Sequence, residues 1–473
     1  MFVKFILPAL TEAKSIYWRS IKYSLFPPLG LATLASYLDE QDEAVIEDEH
    51  VESINLDDQP DICAIQTYIT SAYRSYKIAQ RYKGKGSYIV MGGLHATAVP
   101  DEVLQHADTV FIGPAEHSWP QFLSDFKKGV QKKIYRSNQR TLTDTPLPRR
   151  DLIKSHLYLV PNSIVVSRGC PHHCDFCYKD NFYQGGKSFY VKCIDQILEE
   201  IDTFRGRHLF FLDDHLFGNR KFATELFNAL QGMNKVWQAA GTVASVNDDE
   251  LFTAAVKSGL SSLFIGFETL AIENLKSHNK LQNINSDYDK AIWSLHSNGV
   301  MVNGSFIFGM DHDNISVFER TVDWAVNRSI ETATFHILTP YPGTRLYQKL
   351  VKENRIISKN WNLYDTRHTV FLPKNMTPIE LEQGYKLAYK QFYSWSNIFK
   401  SVSSKDDFRF KLRHLLYTSG WKKFEKFWEL LIRKQHVYNM IPLLEKLLSH
   451  QVNTDSQKKD FIELADSIYS KTA

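Results

Sequence analysis

Cysteine is scarce in this chain, five among 473 residues. The total is odd, three are clustered, and Cys63 and Cys193 stand alone, so there is no disulfide framework of the secreted kind. A reducing compartment and a metal fit that usage better. Long hydrophobic runs are also missing: no uninterrupted apolar stretch reaches the roughly 18 to 20 residues that a bilayer core requires. The opening MFVKFILPAL is broken by Lys4 and ended by Pro8, with no small-residue cleavage site behind it. It reads as a strand, and the chain as cytoplasmic. Charge of one sign is lacking too, since 56 Lys and Arg face 53 Asp and Glu for a net +3. Totals so balanced carry no electrostatic footprint for nucleic acid. No internal repeat or low-complexity block is present.

What is there is length and alternation. A chain of 473 residues is long enough for two or three domains with cores of their own. Over 1–136, short β-branched runs (VKFILP, AVIED, ICAIQTY, YIVMGG, TVFIG) alternate with helical patterns such as AYRSYKIAQRYKG. That predicts an α/β fold, an N-terminal doubly wound Rossmann-like domain on a parallel sheet. Small or polar residues end its strands, which is where open α/β sheets hold ligands. Residues 137–159, polar and proline-punctuated, read as a linker. Over 160–375 six strand-like runs, from SIVVSRGC to TATFHIL, are each followed by a helix, which predicts a partial β/α barrel. From 376 to 473 strand signals vanish and a C-terminal helical domain is expected. Its stretch FRFKLRHLLYTSGWKKFEKFWELLIRKQ mixes basic and aromatic residues. It reads either as a cationic amphipathic surface for peripheral membrane contact or as a bundle packing its aromatic stripe on the barrel.

The segment CPHHCDFC places Cys170, Cys174 and Cys177 at the end of the first barrel strand. Three thiolates from one loop can hold three irons of a [4Fe-4S] cube and leave the fourth open to a small molecule. Zinc is the alternative, with His172 or His173 as a fourth ligand, although no second pair of ligands accompanies the cluster.

The Cys-x3-Cys-x2-Cys spacing, with Phe176 before the last cysteine and a partial barrel around it, resembles the radical S-adenosylmethionine superfamily. The resemblance implies that the open iron chelates the amino and carboxylate groups of S-adenosylmethionine. One electron then cleaves the sulfonium to methionine and a 5′-deoxyadenosyl radical, which abstracts hydrogen from an unactivated carbon. It implies that Phe176 lines the adenine. Glu268 in GFET, and a carboxylate from the Asp213–Asp214 pair in FLDDHLF, would bind the ribose hydroxyls or the methionine amine. Gly304 and Gly309 in GSFIFGM would let the backbone approach the ligand, with tight packing as the alternative. The two aspartates read equally as a helix N-cap. Asp213, Asp214 and Tyr341 are the catalytic candidates, and His215 reads as structural.

The front segments PPLGLATLASYLDE, MGGLHATAVPDEVL and FIGPAEHSWPQFL resemble the cobalamin-binding branch of that superfamily. The cofactors implied are a [4Fe-4S] cluster, S-adenosylmethionine and cobalamin. The cobalamin contacts implied are Leu29 and Gly30, then Thr67, Thr70 and Ser71, then Gly92, Gly93, His95 and Thr97, then Gly113 and Glu116. The branch's Asp-x-His-x-x-Gly signature is broken, since Asp48 and His50 are followed by Ser53. His50 is therefore not assigned to cobalt. GPAE also departs from the family's acidic turn at Pro114 and Ala115, though Glu116 is kept. With only Cys63 in the front domain, the second cluster of the methylthiotransferases is not expected. The implied activity is methylation of an unactivated carbon of a small or lipid-like substrate, with a flavodoxin or ferredoxin as one-electron donor. Cyclisation, ring contraction or oxidation with the same cofactors is the alternative, and a non-catalytic cobalamin sensor is a third reading. The C-terminal helices, the loop NWNLYDTRHTVFLP and Tyr341 are expected to face the substrate.

Overall fold

The computed structural model describes residues 1–13, 21–284, 286–405, 407–434 and 436–449. The expected helical stretch over 450–473 lies outside the described residues.

Six front strands are β1 (Phe2–Leu7), β2 (Glu43–Asp48), β3 (Ile62–Gln66), β4 (Tyr88–Gly92), β5 (Thr109–Ile112) and β6 (Ile134–Arg136). They pair in parallel in the order β2-β1-β3-β4-β5-β6. β1 and β3 are therefore neighbours whose connections leave in opposite directions, the topological switch that opens a crevice at the strand ends. The short β6, with basic residues on both sides, had no alternation long enough to mark it in the sequence. Lys4, which breaks the apolar run of β1, is wholly buried, and its ammonium sits 2.9 Å from Glu47, 2.7 Å from Asp58 and 2.6 Å from the Asn55 carbonyl. A buried charge so paired is tolerated where a lone one would not be.

A second parallel sheet of six strands runs in chain order: β7 (Ser163–Ile164), then, past a ribbon, β10 (His208–Phe211), β11 (Val236–Gly241), β12 (Leu260–Glu268), β13 (Met301–Phe308) and β14 (Thr332–Ile337). Closure into a (β/α) barrel takes about eight strands, so this one stays an open arc with two edges. Its core of Leu, Ile, Val and Phe side chains runs from Ile164 to Tyr393. One expectation needs correction. The cysteines do not follow the first barrel strand directly. The chain leaves the sheet after Ile164 and forms an antiparallel ribbon, β8 (Ser167–Gly169) with β9 (Phe189–Val191), and the cysteine loop is carried on that ribbon. The helix read from VKCIDQILEEIDTF accordingly begins only at Ile194, because Phe189–Val191 is strand.

The C-terminal helices cover the arc's open edge. Helix Pro378–Phe392 starts at a capping box between Thr377 and Glu380, and it lays two tyrosines along β14. The Tyr393 hydroxyl accepts from Ala333 N at 3.1 Å and donates to Ala333 O at 2.9 Å. Tyr389 meets Phe335 N and O in the same way at 3.1 and 3.3 Å. Phenol groups thus stand in for a missing strand and block pairing with another chain. In the basic-aromatic stretch, Arg413 and His414 are buried, and Arg413 donates to the Gly299 carbonyl at 2.6 Å. That helix therefore packs on the barrel. Phe408 and Phe410, at its start, are exposed. Among the described residues no helix is long and apolar enough to cross a membrane.

Tyr393→Phe removes one hydroxyl and strands a buried N–H and C=O of Ala333. It should cost about 2 kcal/mol, read as a lower urea midpoint of the apo-protein. An unchanged midpoint would mean that water replaces the phenol.

Candidate active site

The ribbon bends away because a buried carboxylate holds it. Asp213, just after β10, accepts hydrogen bonds from Val166 N at 3.2 Å, from Ser167 N, and from the Ser167 hydroxyl at 2.5 Å. Burial raises its carboxyl to about 7, while the Ser167 hydroxyl and the two amides pull the other way. Asp214 accepts from Gly169 N at 3.1 Å and from the Tyr178 hydroxyl at 3.0 Å. Neither aspartate caps a helix. Both brace the backbone just before the cysteines, and Asp214 also holds the Tyr178 side chain just after them, so they position the loop.

Within the loop, Cys174 is buried and Cys170 and Cys177 are partly so. Burial pushes the Cys177 thiol up to about 11 against the opposing Lys179, and it raises Cys174 against Lys280. Thiols in such surroundings ionise when a metal supplies positive charge, which is the donor chemistry an iron–sulfur cube needs. Among the described residues no three His, Cys, Asp or Glu side chains converge where one ion would sit. Zinc would need that convergence, whereas a cube binds each cysteine through a different iron. His173 turns outward to Asp180 at 2.8 Å, and His172 stacks on His215 with ring centres 5.5 Å apart. Phe176 packs edge-on against His278, itself 2.8 Å from Asp175.

Glu268 ends β12 at a bulge, with a left-handed φ of 62° that is rare outside glycine. Its carboxylate is 2.8 Å from the Lys280 ammonium, and any side chain at Gly266 would collide with it. Burial alone would lower Lys280; Glu268 and the nearby thiols outweigh it and hold the ammonium above its ordinary value. Gly304 and Gly309 do not face open space. A Cβ at Gly304 would strike Phe306, and one at Gly309, where φ is 95°, would strike Leu381. Tight packing accounts for both.

Opposite the cysteine loop lie the ends of β1, β3 and β4. A cavity of about 280 Å³ opens there, lined by Leu10, Tyr68, Ile69, Thr70, Leu94 and His95 from the front sheet. Its other wall is Tyr178, Asn181, Phe182, Tyr341 and the segment Tyr364 to Thr366. The cavity therefore sits at the β1/β3 switch point and also against the helix that follows Cys177. Around it, Gly93 takes a φ of 105°, where a Cβ would press on the Thr67 carbonyl at 3.0 Å. Buried Thr67 Oγ1 and His95 Nδ1 have no partner among the described residues, while His95 Nε2 is 3.0 Å from the Tyr76 hydroxyl. A glycine cradle and unspent buried polar atoms at strand ends fit an amide-rich ligand such as cobalamin.

Other expected contacts lie elsewhere. Ser71 caps its own turn through Tyr68 N, and the Thr97 hydroxyl bridges Gly93 O and Gly113 N at 2.9 Å each. Gly92 packs on Phe111, and Gly113 faces the Phe182 carbonyl. Leu29 and Glu116 line a separate small cavity, where Glu116 binds Arg168 at 2.8 Å. Gly30 is exposed beside Gln66. His50 has both ring nitrogens engaged, Nδ1 2.7 Å from Asp48 and Nε2 accepting from Leu10 N at 3.1 Å. Sequence reading missed Tyr178, Phe182, Lys22 and Glu12 on the cavity wall and Lys280 beside Glu268. Tyr178 alone had a signal, its place directly after Cys177.

Fold and site together define a radical enzyme built on a partial barrel with a cobalamin-type front domain. The family model described as Radical SAM superfamily matches residues 164–325, and that described as B12 binding domain matches 22–123. The bacteriochlorophyllide d C-12(1)-methyltransferase of Chlorobaculum tepidum is 30% identical over 358 residues, covering 73% of this chain and 77% of that protein. The C-8(2)-methyltransferase of the same organism is 27% identical, covering 78% and 86%. The solved structure of TsrM from Kitasatospora setae, a radical S-adenosylmethionine methyltransferase with cobalamin and [4Fe-4S] cluster bound, has a TM-score of 0.63 at 12% identity. The alignment covers 92% of this chain and 98% of that one. The chain belongs to the cobalamin-binding radical S-adenosylmethionine family, and it is an enzyme whose cofactors are a [4Fe-4S] cluster, S-adenosylmethionine and cobalamin.

The Asp213 clamp has a pH signature. Its carboxyl rises from 3.8 to about 7 on folding, so the folded state binds the extra proton. The contribution is fully present below pH 3.8 and is lost as pH rises through about 7. The apo-protein's thermal midpoint should fall over that window relative to Asp213→Asn. Parallel curves for the two proteins would refute the assignment.

Proposed function

We propose that this enzyme methylates an unactivated carbon of a bulky apolar or lipid-like molecule held between the front sheet and the barrel. The observation that carries the reading is a cavity walled at once by the β1 and β3 ends and by the helix behind Cys177. When bound, the cofactors supply a hydrogen-abstracting radical and a methyl donor. Cys170, Cys174 and Cys177 would hold the cluster. Phe176 and Glu268 would hold S-adenosylmethionine, and Thr67, Thr70, Gly93 and His95 would hold cobalamin. The chain's own work is enclosure and orientation. Tyr178, Phe182, Tyr341 and Tyr364 exclude water from the space where reactive groups meet, which protects against side reactions. Burial pushes the Tyr341 phenol well above its ordinary 10, so it stays protonated and can donate a hydrogen bond to substrate.

The aromatic wall supports a large, flat or greasy substrate, and both curated methyltransferases described above are named for bacteriochlorophyllides. A flavodoxin or ferredoxin would supply electrons in a cytoplasmic setting. Trp395, Phe399 and Phe408 expose 44%, 55% and 61% of their surface on the C-terminal helices. They would rest on a membrane from which such a substrate is drawn.

Anaerobic reconstitution with iron, sulfide and cobalamin, followed by S-adenosylmethionine, reductant and a tetrapyrrole or lipid panel, tests the proposal. The expected result is about four irons per chain, bound cobalamin, 5′-deoxyadenosine, and a product heavier by one methylene. Cys174→Ala should abolish 5′-deoxyadenosine. A product of unchanged mass would replace methylation by rearrangement, and zinc in place of iron would overturn the reading.

A further inference from the structure

An enzyme of this kind must receive an electron from outside, and the surface over the cysteine loop has the composition of a docking site. The carbonyl of His173, one residue before Cys174, accepts from Asn279 Nδ2 at 2.7 Å and from the Arg345 guanidinium. Two elements therefore meet over the loop. One is the helix Arg345–Lys352, whose Leu346 N also bonds the Asp175 carbonyl at 3.0 Å. The other is the segment that runs from helix Ile272–Ser277 through Asn279 to Gln282. Gln282 Nε2 lies 3.7 Å from Cys174 Sγ, and its neighbour Leu281 leaves 58% of its surface in solvent.

Around that apolar point the charge is positive. On the helix Arg345–Lys352, Arg345, Lys349 and Lys352 recur at helical spacing on one side. Lys276, on the facing element, is exposed. Carboxylates lie among them but are outnumbered: Asp180 pairs with Arg345 at 3.2 Å, Glu353 with Arg355 at 2.9 Å, Asp311 is shared by Lys349, Arg355 and Lys374 at 3.1, 2.9 and 3.0 Å, and Glu273 is exposed on the helix of Lys276. An exposed apolar residue a short path from the cluster ligand, ringed by cations, suits a small transient interface steered by opposite charge.

We propose that the surface formed by Leu281, Lys276 and the Arg345–Lys352 helix docks an acidic one-electron carrier protein and passes its electron to the cluster through the Cys174 side of the loop. This rests on the reading that the cysteine loop holds a reducible cluster. In the step, the carrier loses one electron and the oxidised cluster gains it, with no bond made or broken.

Purified flavodoxin, an acidic flavoprotein, serves as the probe on reconstituted full-length enzyme, with the Lys276→Glu/Lys352→Glu double variant and Leu281→Asp beside the wild type. At low salt, cluster reduction by flavodoxin hydroquinone should slow about tenfold in the double variant. Its titrated affinity for oxidised flavodoxin should fall alongside. The gap should close as salt is raised, because screening removes the steering. Reduction by dithionite, a small ion that needs no docking surface, and iron content should match wild type. Wild-type flavodoxin rates and affinity in both variants would overturn the docking proposal alone. A holoenzyme that dithionite cannot reduce would overturn the functional reading beneath it.

Discussion

A single buried carboxylate sets the geometry on which this molecule depends. Asp213 spends its hydrogen-bonding capacity on the amides of Val166 and Ser167 and on the Ser167 hydroxyl. Those groups would otherwise extend the first barrel strand. Withdrawn from the sheet, the chain crosses into the β8–β9 ribbon and carries its three cysteines over the strand ends. The cost is a buried acid whose charge is poorly solvated. The return is a loop fixed by backbone contacts at its start, where Asp214 adds Gly169, and by the Tyr178 hydroxyl, which Asp214 holds on the far side of the cysteines. A loop held in this way leaves the thiols themselves free for a cluster.

An incomplete barrel creates a second constraint. Six strands leave two edges and an open mouth, and unpaired backbone at an edge invites association. Tyr389 and Tyr393 close the β14 side with phenol hydroxyls. At the mouth, Trp361, Tyr364 and Val370, which follow the barrel, are buried in the same apolar cluster as Ile65, Tyr76 and Met91 of the front domain. The Trp361 indole also donates to Glu102 at 2.9 Å. The two domains thus share a core at the point where the cavity lies. The openness of the barrel leaves room between its strand ends and the front sheet, and the shared core keeps that room at a fixed width.

Much of this was legible in the sequence because it follows from periodicity. Strand-helix alternation located both sheets, the cysteine spacing marked the loop, and NWNLYDTRHTVFLP and Tyr341 were expected to face one ligand; Tyr364 to Thr366 and Tyr341 line one cavity. What was not legible depends on contacts between distant residues. The ribbon strands are three residues each, too short for a pattern, and they exist because Asp213 lies 46 residues from Ser167 in sequence yet against it in space. Gly304 and Gly309 carry no local sign of whether a ligand or a side chain such as Phe306 or Leu381 fills the space beside them. Glu116 looked like a ligand contact because of its strand-end position, but its partner, Arg168, comes from the other domain.

The pairing of Glu268 with Lys280 ties the two halves of the candidate site together electrically. Glu268 is held in a left-handed conformation that costs of order 1 to 3 kcal/mol for a non-glycine residue, and such strain persists only where the surroundings insist on it. The Lys280 ammonium does so from one side, and Gly266 makes room on the other. The same ammonium opposes the burial that raises the Cys174 thiol. A positive charge shared between a strained carboxylate and a cysteine makes the two mutually dependent. Losing charge at the loop would loosen the end of β12, and moving Glu268 would change the charge felt by the loop. The β12 end and the cysteine loop therefore form one electrostatic unit, set by a lysine that no local motif marks.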